Sequence, residues 1–433
     1  MTAARLLLLS PLLSLATPLH AAEVLATGLS DPDDDDVELL AKELAEELVL
    51  KEETEDEISI DADSSLDVTV QEQGRIGWFT FADVRGRANR DYLDARDGES
   101  TDESDLAVRF RVGANRAFTN SLRVAGRLAV SCATDSCKRE VDLEEDTQGG
   151  SDRLVEIDEA FIHWYQGERF DLALGRMQTK FITKGGVFAK SLDRNDSNNT
   201  RITWTDAVHG TLHLENGWEP HLILQYNPKS GPAQVLRDPL DFSSDKSRAS
   251  LFLSFVNEKP VRYLTQRAID ISYYPSALLK DGYIEGGRRE DYWGIVARAA
   301  GRYPKRSSGT RIRFSAEVGY APETPSKAGV SLAGDGNTDG VAFALTLSLM
   351  DLFPKHSIGL NFARTDAGWL LSPQYNKNER LVELRYIWVV TERITFDVRI
   401  RRRKELDQLT DAVQRSVETD AFARFTMRFR KNG

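Results

Sequence analysis

The stretch NERLVELRYIWVVTERITFDVRIRRRKEL, residues 378–406, alternates between two chemistries. From Arg393 to Arg403 every second residue is polar or charged: Arg393, Thr395, Asp397, Arg399, Arg401 and Arg403. Ile394, Phe396, Val398 and Ile400 lie between them. Earlier in the stretch, Val382, Leu384, Tyr386, Trp388 and Val390 share one parity, and Glu383 and Arg385 the other. Successive side chains of a strand point to opposite faces, so a period of two predicts strands. Only Thr391 and Glu392 separate the two runs, which predicts a hairpin with a tight turn. Strands of about ten residues, apolar on one face and charged on the other, suit a transmembrane β-barrel with lipid outside and water inside.

Working outward, the same period recurs from Gly74 to the end of the chain. It marks sixteen candidate strands, from 75–88 and 106–118 through to 378–390, 392–404 and 418–430. The period is most broken in 170–178, 200–214 and 266–275. The connections alternate in length: long at 89–105, 132–152, 179–199, 228–247, 276–290, 322–338, 367–377 and 405–417. Short ones fall between them, with 258–265 of middle length. Short turns on one side and long loops on the other characterise single-chain outer-membrane barrels, and an even strand number returns both ends to the same side. Trp78, Trp164, Trp204, Trp218, Tyr226, Tyr273, Tyr274, Tyr292, Trp293, Tyr320, Tyr386 and Trp388 mostly fall near expected strand ends, where interfacial girdles form or where rings fill the interior. The fold class is therefore all-β: an antiparallel barrel of about sixteen strands over 73–433.

The N-terminus sets the compartment. Residues 1–22 carry one Arg, an apolar run from Leu6 to Leu15 and then small residues, which reads as a cleaved secretory signal. That run is too short to cross a bilayer as a helix. Mean hydropathy is −0.41, low for a membrane protein, but half of each barrel strand faces water. Residues 1–72 hold 19 acidic and 3 basic side chains out of 68 and 56, so an acidic leader precedes a body of 49 acidic and 53 basic. Within the leader, 23–72, a short helix is expected at about 32–50. Asp33–Asp36 complement its positive end, and Val37, Leu40, Ala41, Leu44 and Leu48 make an apolar stripe. The leader reads either as an oligomerisation helix or as a solvated, partly helical tail.

The stretch EAFIHWYQGERFDLALGRMQTKF, residues 159–181, places a strand pair and a short turn before a long third loop. In this it resembles the phosphate-selective porin O/P family and related sixteen-stranded Gram-negative porins, over roughly 74–433. Alginate-export barrels have a similar strand pair. The chain departs from the family in two places: Lys-Asn-Gly follows Arg430 where a terminal aromatic is usual, and no lysine-rich cluster stands out. The resemblance implies a bacterial outer-membrane channel, a homotrimer, and a third loop folded into the barrel.

If the apolar faces meet lipid, the arginines of the opposite parity point into the lumen. These are Arg109, Arg111, Arg123, Arg127, Arg311, Arg313, Arg385, Arg399, Arg401, Arg403, Arg424 and Arg428. Arginine is always charged, and rings of it favour anions. Glu317, Glu383 and Asp397 share the lumen and are expected to pair with some of them, leaving two readings: an anion-attracting ladder or a self-neutralised wall. The third loop, 179–199, is the candidate constriction, with Lys180, Lys184, Lys190, Asp193, Arg194 and Asp196 as mixed charge and Gly185-Gly186 as a bend. An ordinary surface loop is the alternative. Cys132 and Cys137, the two cysteines, are expected to clip the second long loop as a disulfide.

No Ser-His-acid set, metal-ligand cluster or phosphate-binding glycine loop stands out, and the histidines are dispersed, so no catalysis, cofactor, metal or nucleic-acid partner is expected. The expected function is passive diffusion of small hydrophilic solutes across the outer membrane, leaning to anions. The alternatives are a specific channel for an acidic oligosaccharide or polymer, and a structural or adhesive barrel plugged by its own loops.

Overall fold

In a computed structural model of the chain, the structure describes residues 77–133, 155–166, 169–179, 181–193, 205–227, 238–242, 244–283, 287–304, 309–372 and 374–432. The signal segment, the leader helix and the leader boundary at 72 lie outside them. The strands are β1 (Gly77–Asp94), β2 (Ser100–Thr119), β3 (Leu122–Ala133), β4 (Val155–Gln166), β5 (Phe170–Met177), β6 (Thr183–Lys184), β7 (Ala189–Lys190), β8 (Thr205–Leu212) and β9 (Trp218–Tyr226). They continue with β10 (Ala249–Asn257), β11 (Leu264–Leu279), β12 (Arg289–Arg302), β13 (Arg311–Tyr320), β14 (Val341–Phe353), β15 (His356–Thr365), β16 (Glu379–Thr391), β17 (Ile394–Glu405) and β18 (Val417–Asn432).

Sixteen of these close into one barrel, each pairing with its chain neighbour, β5 pairing with β8, and β18 returning to β1. All the pairings are antiparallel. The two-residue β6 and β7 form a small hairpin of their own inside the β5–β8 connection. Closure leaves no edge strand, so backbone groups facing an apolar medium are satisfied within the wall.

The period-two pattern becomes an inside-out burial pattern. On β2, Leu106, Val108, Phe110 and Val112 are exposed, while Ala107, Arg109, Arg111 and Asn115 between them are buried. Leu106 is 59% exposed and Arg109 1%. The same outer belt runs through Leu222, Leu224, Leu345, Leu347, Leu360, Val382, Leu384 and Ile400. In water such a continuous apolar surface would drive association, whereas in a bilayer it is the required lipid contact.

Three expectations change. The loop expected at 89–105 is mostly strand: β1 and β2 stay paired from Asn89↔Asp105 up to Asp94↔Ser100. Both faces are polar here, which erases the period-two signal, and cross-strand polar contacts replace apolar ones. Arg90 donates to Asp102 from Nε at 2.9 Å and Nη2 at 2.6 Å, and the Ser100 hydroxyl donates to Asp94 at 2.8 Å. Second, β11 runs past 275 to Leu279 through a register shift between Tyr274 and Leu278, with Ser276 at φ 52°. A bulge moves alternation off step, so sequence parity breaks there. Third, Tyr274 and Tyr292 are buried inside rather than on the rim.

The opening hairpin forms with its turn shifted by one residue, at Glu392 and Arg393. Two apolar residues occupy its charged parity: Leu381 and Ile387 are both buried. They belong to two internal apolar clusters that the alternation does not announce.

Candidate functional site

Three buried carboxylates on the inner wall are each shared by two arginines. Asp83 on β1 takes Arg111 at 2.6 Å and Arg109 at 3.4 Å, both from β2. Asp397 on β17 lies between Arg385 of β16 and Arg424 of β18. Asp420 on β18 takes Arg399 at 2.6 Å and Arg401 at 2.5 Å, both from β17. Register produces these trios, because Asp83 lies opposite Arg111, Asp397 opposite Arg424, and Arg401 opposite Asp420. Each trio carries one more positive charge than negative.

The remaining arginines are more varied. Arg127 pairs with Glu159 at 3.0 Å, and Arg403 with Glu418 at 2.9 Å and Glu379 at 3.2 Å. Arg123 lies over the rings of Phe79 and Tyr165. Arg311 pairs with Asp351 at 2.6 Å, and Arg313 and Arg428 are half-buried on the same inward parity. Glu317 and Glu383 behave differently from the expectation, because both bind a loop. Asp91, Glu418 and Asp420 bring carboxylates within 4.8 Å of one another. Arg401 and Arg403 reach into that group, which makes it an ion-pair network rather than a cation cage.

The connection after β5 lies against the inner wall through residue 193. Gly185 and Gly186 make its closest approach. A Cβ on Gly185 would stand 2.3 Å from Thr346 Oγ1, and one on Gly186, at φ +90°, would stand 2.5 Å from Ser348 Cβ. The Ser348 hydroxyl donates to the Gly185 carbonyl at 2.7 Å. Glu317 accepts from the Thr183 hydroxyl and from the Leu192 N–H. The charges expected to face a passage are partly spent on anchoring. Lys190 is buried against Glu383 and the Tyr375 ring, and Asp193 accepts from the Ser272 hydroxyl at 2.8 Å. Lys184 pairs with Glu258 at 2.7 Å, half-exposed. Lys180, Arg194 and Asp196 lie outside the described residues. Cys132 is disulfide-bonded, and Cys137 lies outside the described residues.

A second loop, 366–378, packs beside the first. Trp369 donates from Nε1 to the Leu192 carbonyl at 3.0 Å, and the Ser372 hydroxyl to the Ser191 carbonyl at 3.2 Å. Tyr292 Oη donates to the Gly368 carbonyl and accepts the Leu370 N–H, both at 2.8 Å. Glycines on the wall make room for these side chains. A Cβ on Gly319 would lie 2.5 Å from the Trp369 ring, one on Gly294 2.6 Å from Leu371, and one on Gly359 2.5 Å from Val187. Leu192, Leu240, Phe242, Tyr292, Val296, Trp369, Leu370 and Leu381 meet in one apolar core. Sequence alternation misses this core, although inward-parity glycines opposite a loop containing Trp-Leu-Leu are a usable signal.

Four histidines gather on the inner face near the short-turn end. His163 is on β4, His209 on β8, His213 just beyond it and His221 on β9. Their sequence dispersion hides this, but counting back from the 213–217 turn brings Thr211 opposite His221. His213 meets Asp171 at 2.8 Å through Nε2 and Glu219 at 3.0 Å through Nδ1. Burial pulls its pKa down, but the two carboxylates more than offset this and hold it above the usual histidine value.

No family model matches the chain. No curated protein matches it either. Solved structures do. OprB of Pseudomonas putida is 13% identical over 82% of this chain and 94% of its own, with a TM-score of 0.55. A BenF-like porin from Pseudomonas fluorescens Pf-5 is 11% identical over 82% of this chain and 99% of its own, with a TM-score of 0.50. The fold is that of a sixteen-stranded porin. On this barrel the arginine trios sit on β1, β2 and β16–β18, while the two packed loops lie against β11–β16.

Proposed function

We propose that the chain is an outer-membrane channel for passive diffusion of small hydrophilic solutes, with a preference for anions. The observation that carries the preference is the shared carboxylate: Asp83, Asp397 and Asp420 each serve two arginines, leaving a positive excess along one sector of the inner wall. Guanidinium groups in a narrow lumen favour anions and reject cations. The passage runs along that sector, with the loop through residue 193 narrowing it from the adjoining wall, β11–β16. A signal segment at 1–22 sends the chain across the inner membrane, the acidic leader stays periplasmic, Cys132 and Cys137 clip the second long loop, and the barrel assembles as a homotrimer.

Conductance across a planar lipid bilayer tests this. The expected result is stepwise channels whose reversal potential in a salt gradient reports an anion excess. A cation preference would overturn the anion reading, and silent, fully inserted protein would overturn the channel. The packed loops favour a second reading in that event, a barrel plugged by its own core. Phosphate selectivity, against which the missing lysine-rich cluster argues, predicts that millimolar phosphate blocks chloride current. An acidic oligosaccharide channel predicts block by uronate oligomers instead.

A further inference from the structure

The inner wall near the short turns carries an arrangement that solute diffusion does not use. His209 Nε2 and His221 Nδ1 face each other at 3.3 Å. The Thr211 hydroxyl completes a triangle, 3.3 Å from His209 Nε2 and 3.1 Å from His221 Nδ1. The two imidazole nitrogens stand at the long end of hydrogen-bonding distance. Zinc bound to two imidazoles at about 2.0–2.1 Å in a tetrahedron sets the nitrogens about 3.3–3.4 Å apart. The triangle therefore has the edge lengths of one face of a metal-centred tetrahedron.

The surroundings fit the same ligand. Thr211 lies opposite Asp171 on one side and His221 on the other, and Asp171 and Glu219 are both held by His213 rather than by the pair. Glu219 is on the same strand and face as His221. Phe181, from the inward loop, places its ring edge-on to both imidazoles at 6.0 and 5.2 Å and packs on Phe252 at 4.7 Å. These apolar rings cover one side of the pair and fix its orientation. His209 and His221 both keep partial exposure on the inward parity. Imidazole nitrogens select zinc, nickel or copper rather than calcium or magnesium.

We propose that His209, Thr211 and His221 form a binding site for a divalent transition-metal ion of the zinc or copper kind on the inner wall. The two ring nitrogens are the principal ligands and the hydroxyl is the weaker third. Water fills the open position. On binding, the imidazole that carries its proton on the inward nitrogen shifts it to the outer one, so no oxidant and no net proton loss is required. The site does not depend on the channel reading, and Phe181 ties it to the start of the inward loop.

The test uses the full-length, untagged protein in detergent, stripped with chelator. Calorimetric titration with Zn²⁺ at neutral pH is expected to show one saturable ion per chain. One equivalent of Cu²⁺ is expected to give an electron paramagnetic resonance signal split by two ring nitrogens. The double variant His209→Ala/His221→Ala loses both signals, while His163→Ala keeps them. His209→Asn/His221→Asn preserves size and repeats the test should the alanine pair fail to fold, with far-UV circular dichroism as the control. Wild-type protein that takes up no saturable Zn²⁺, or a folded double variant that binds it undiminished, overturns the site. Neither result bears on conductance, so the channel and the metal site stand or fall separately.

Discussion

Arg385 holds Asp397 with two parallel hydrogen bonds, Nε to Oδ1 at 3.0 Å and Nη2 to Oδ2 at 2.6 Å. This two-pronged grip is the strongest geometry available to an arginine–carboxylate pair. Arg424 approaches the same carboxylate from the other side, on β18. Asp397→Asn would leave two buried guanidinium groups facing each other. A loss of roughly 3–5 kcal/mol is expected, the usual effect of breaking a buried pair. Guanidinium unfolding of the purified barrel measures it, and an unchanged midpoint would mean the pair is solvated.

Arg90 and Asp102 make the same two-pronged contact on the β1–β2 hairpin, but in the open. Exposed pairs contribute only about 0–1 kcal/mol. Asp102→Ala is therefore expected to leave the unfolding midpoint within error of wild type. A large loss would show that the hairpin, rather than the wall, limits stability.

Trp369 fills the space between the second loop and the glycines of β12 and β13. Trp369→Ala removes a fully buried ring and its hydrogen bond to Leu192, for about 3–5 kcal/mol. It also frees the loop that narrows the lumen. Unit conductance is expected to rise, with noisier openings, in single-channel recordings.

Gly359 seats the tip of the inward loop, where an added Cβ would lie 2.5 Å from Val187 and 2.7 Å from Phe188. Gly359→Ala pushes that tip off the wall and into the passage. Lower unit conductance with little change in ion preference is the expected result, because the wall charge is untouched. Equal conductance would place the passage elsewhere.

Arg399 and Arg401 share Asp420. The double change Arg399→Gln/Arg401→Gln converts that trio from net positive to net negative. Reversal potentials in a salt gradient should move toward cation preference, whereas Asp420→Asn should move them further toward anions. Identical shifts from both would dissociate selectivity from this trio.

How much of this was legible in sequence depends on what each residue faces. Where one face meets lipid, as on β16 and β17, alternation located strands to within a residue or two. Above the belt it failed: Asn89, Arg90, Asp91 and Tyr92 are strand in the structure yet carry no apolar parity. On β16 and β17 the inward parity reads as charged, which suits a water-filled lumen. Tyr292, Val296, Leu381 and Ile387 are apolar at inward positions because loops, not water, cover them. Lys190 and Asp193 were read as passage charges for the same reason, although each meets a wall partner. Contacts between a loop and a distant strand have no period, so local pattern cannot announce them.

The long β1–β2 hairpin has a consequence for how the protein meets the world beyond its membrane. At about 3.3 Å per residue, the 20 residues of β2 extend about 66 Å, while the apolar band of such barrels is about 25 Å tall. Even tilted, the hairpin rises past such a band, backed by β18 from Phe79↔Asn432 up to Asp94↔Val417. Its tip turns through Gly98, where an added side chain would meet nothing within 4 Å. In the same turn Arg96 holds Glu405 from the end of β17, and its carbonyl accepts the Val413 and Gln414 N–H groups. In the outer-membrane orientation proposed above, an antibody or a phage tail would touch this hairpin early, and a foreign epitope inserted at its tip would be carried on three paired strands.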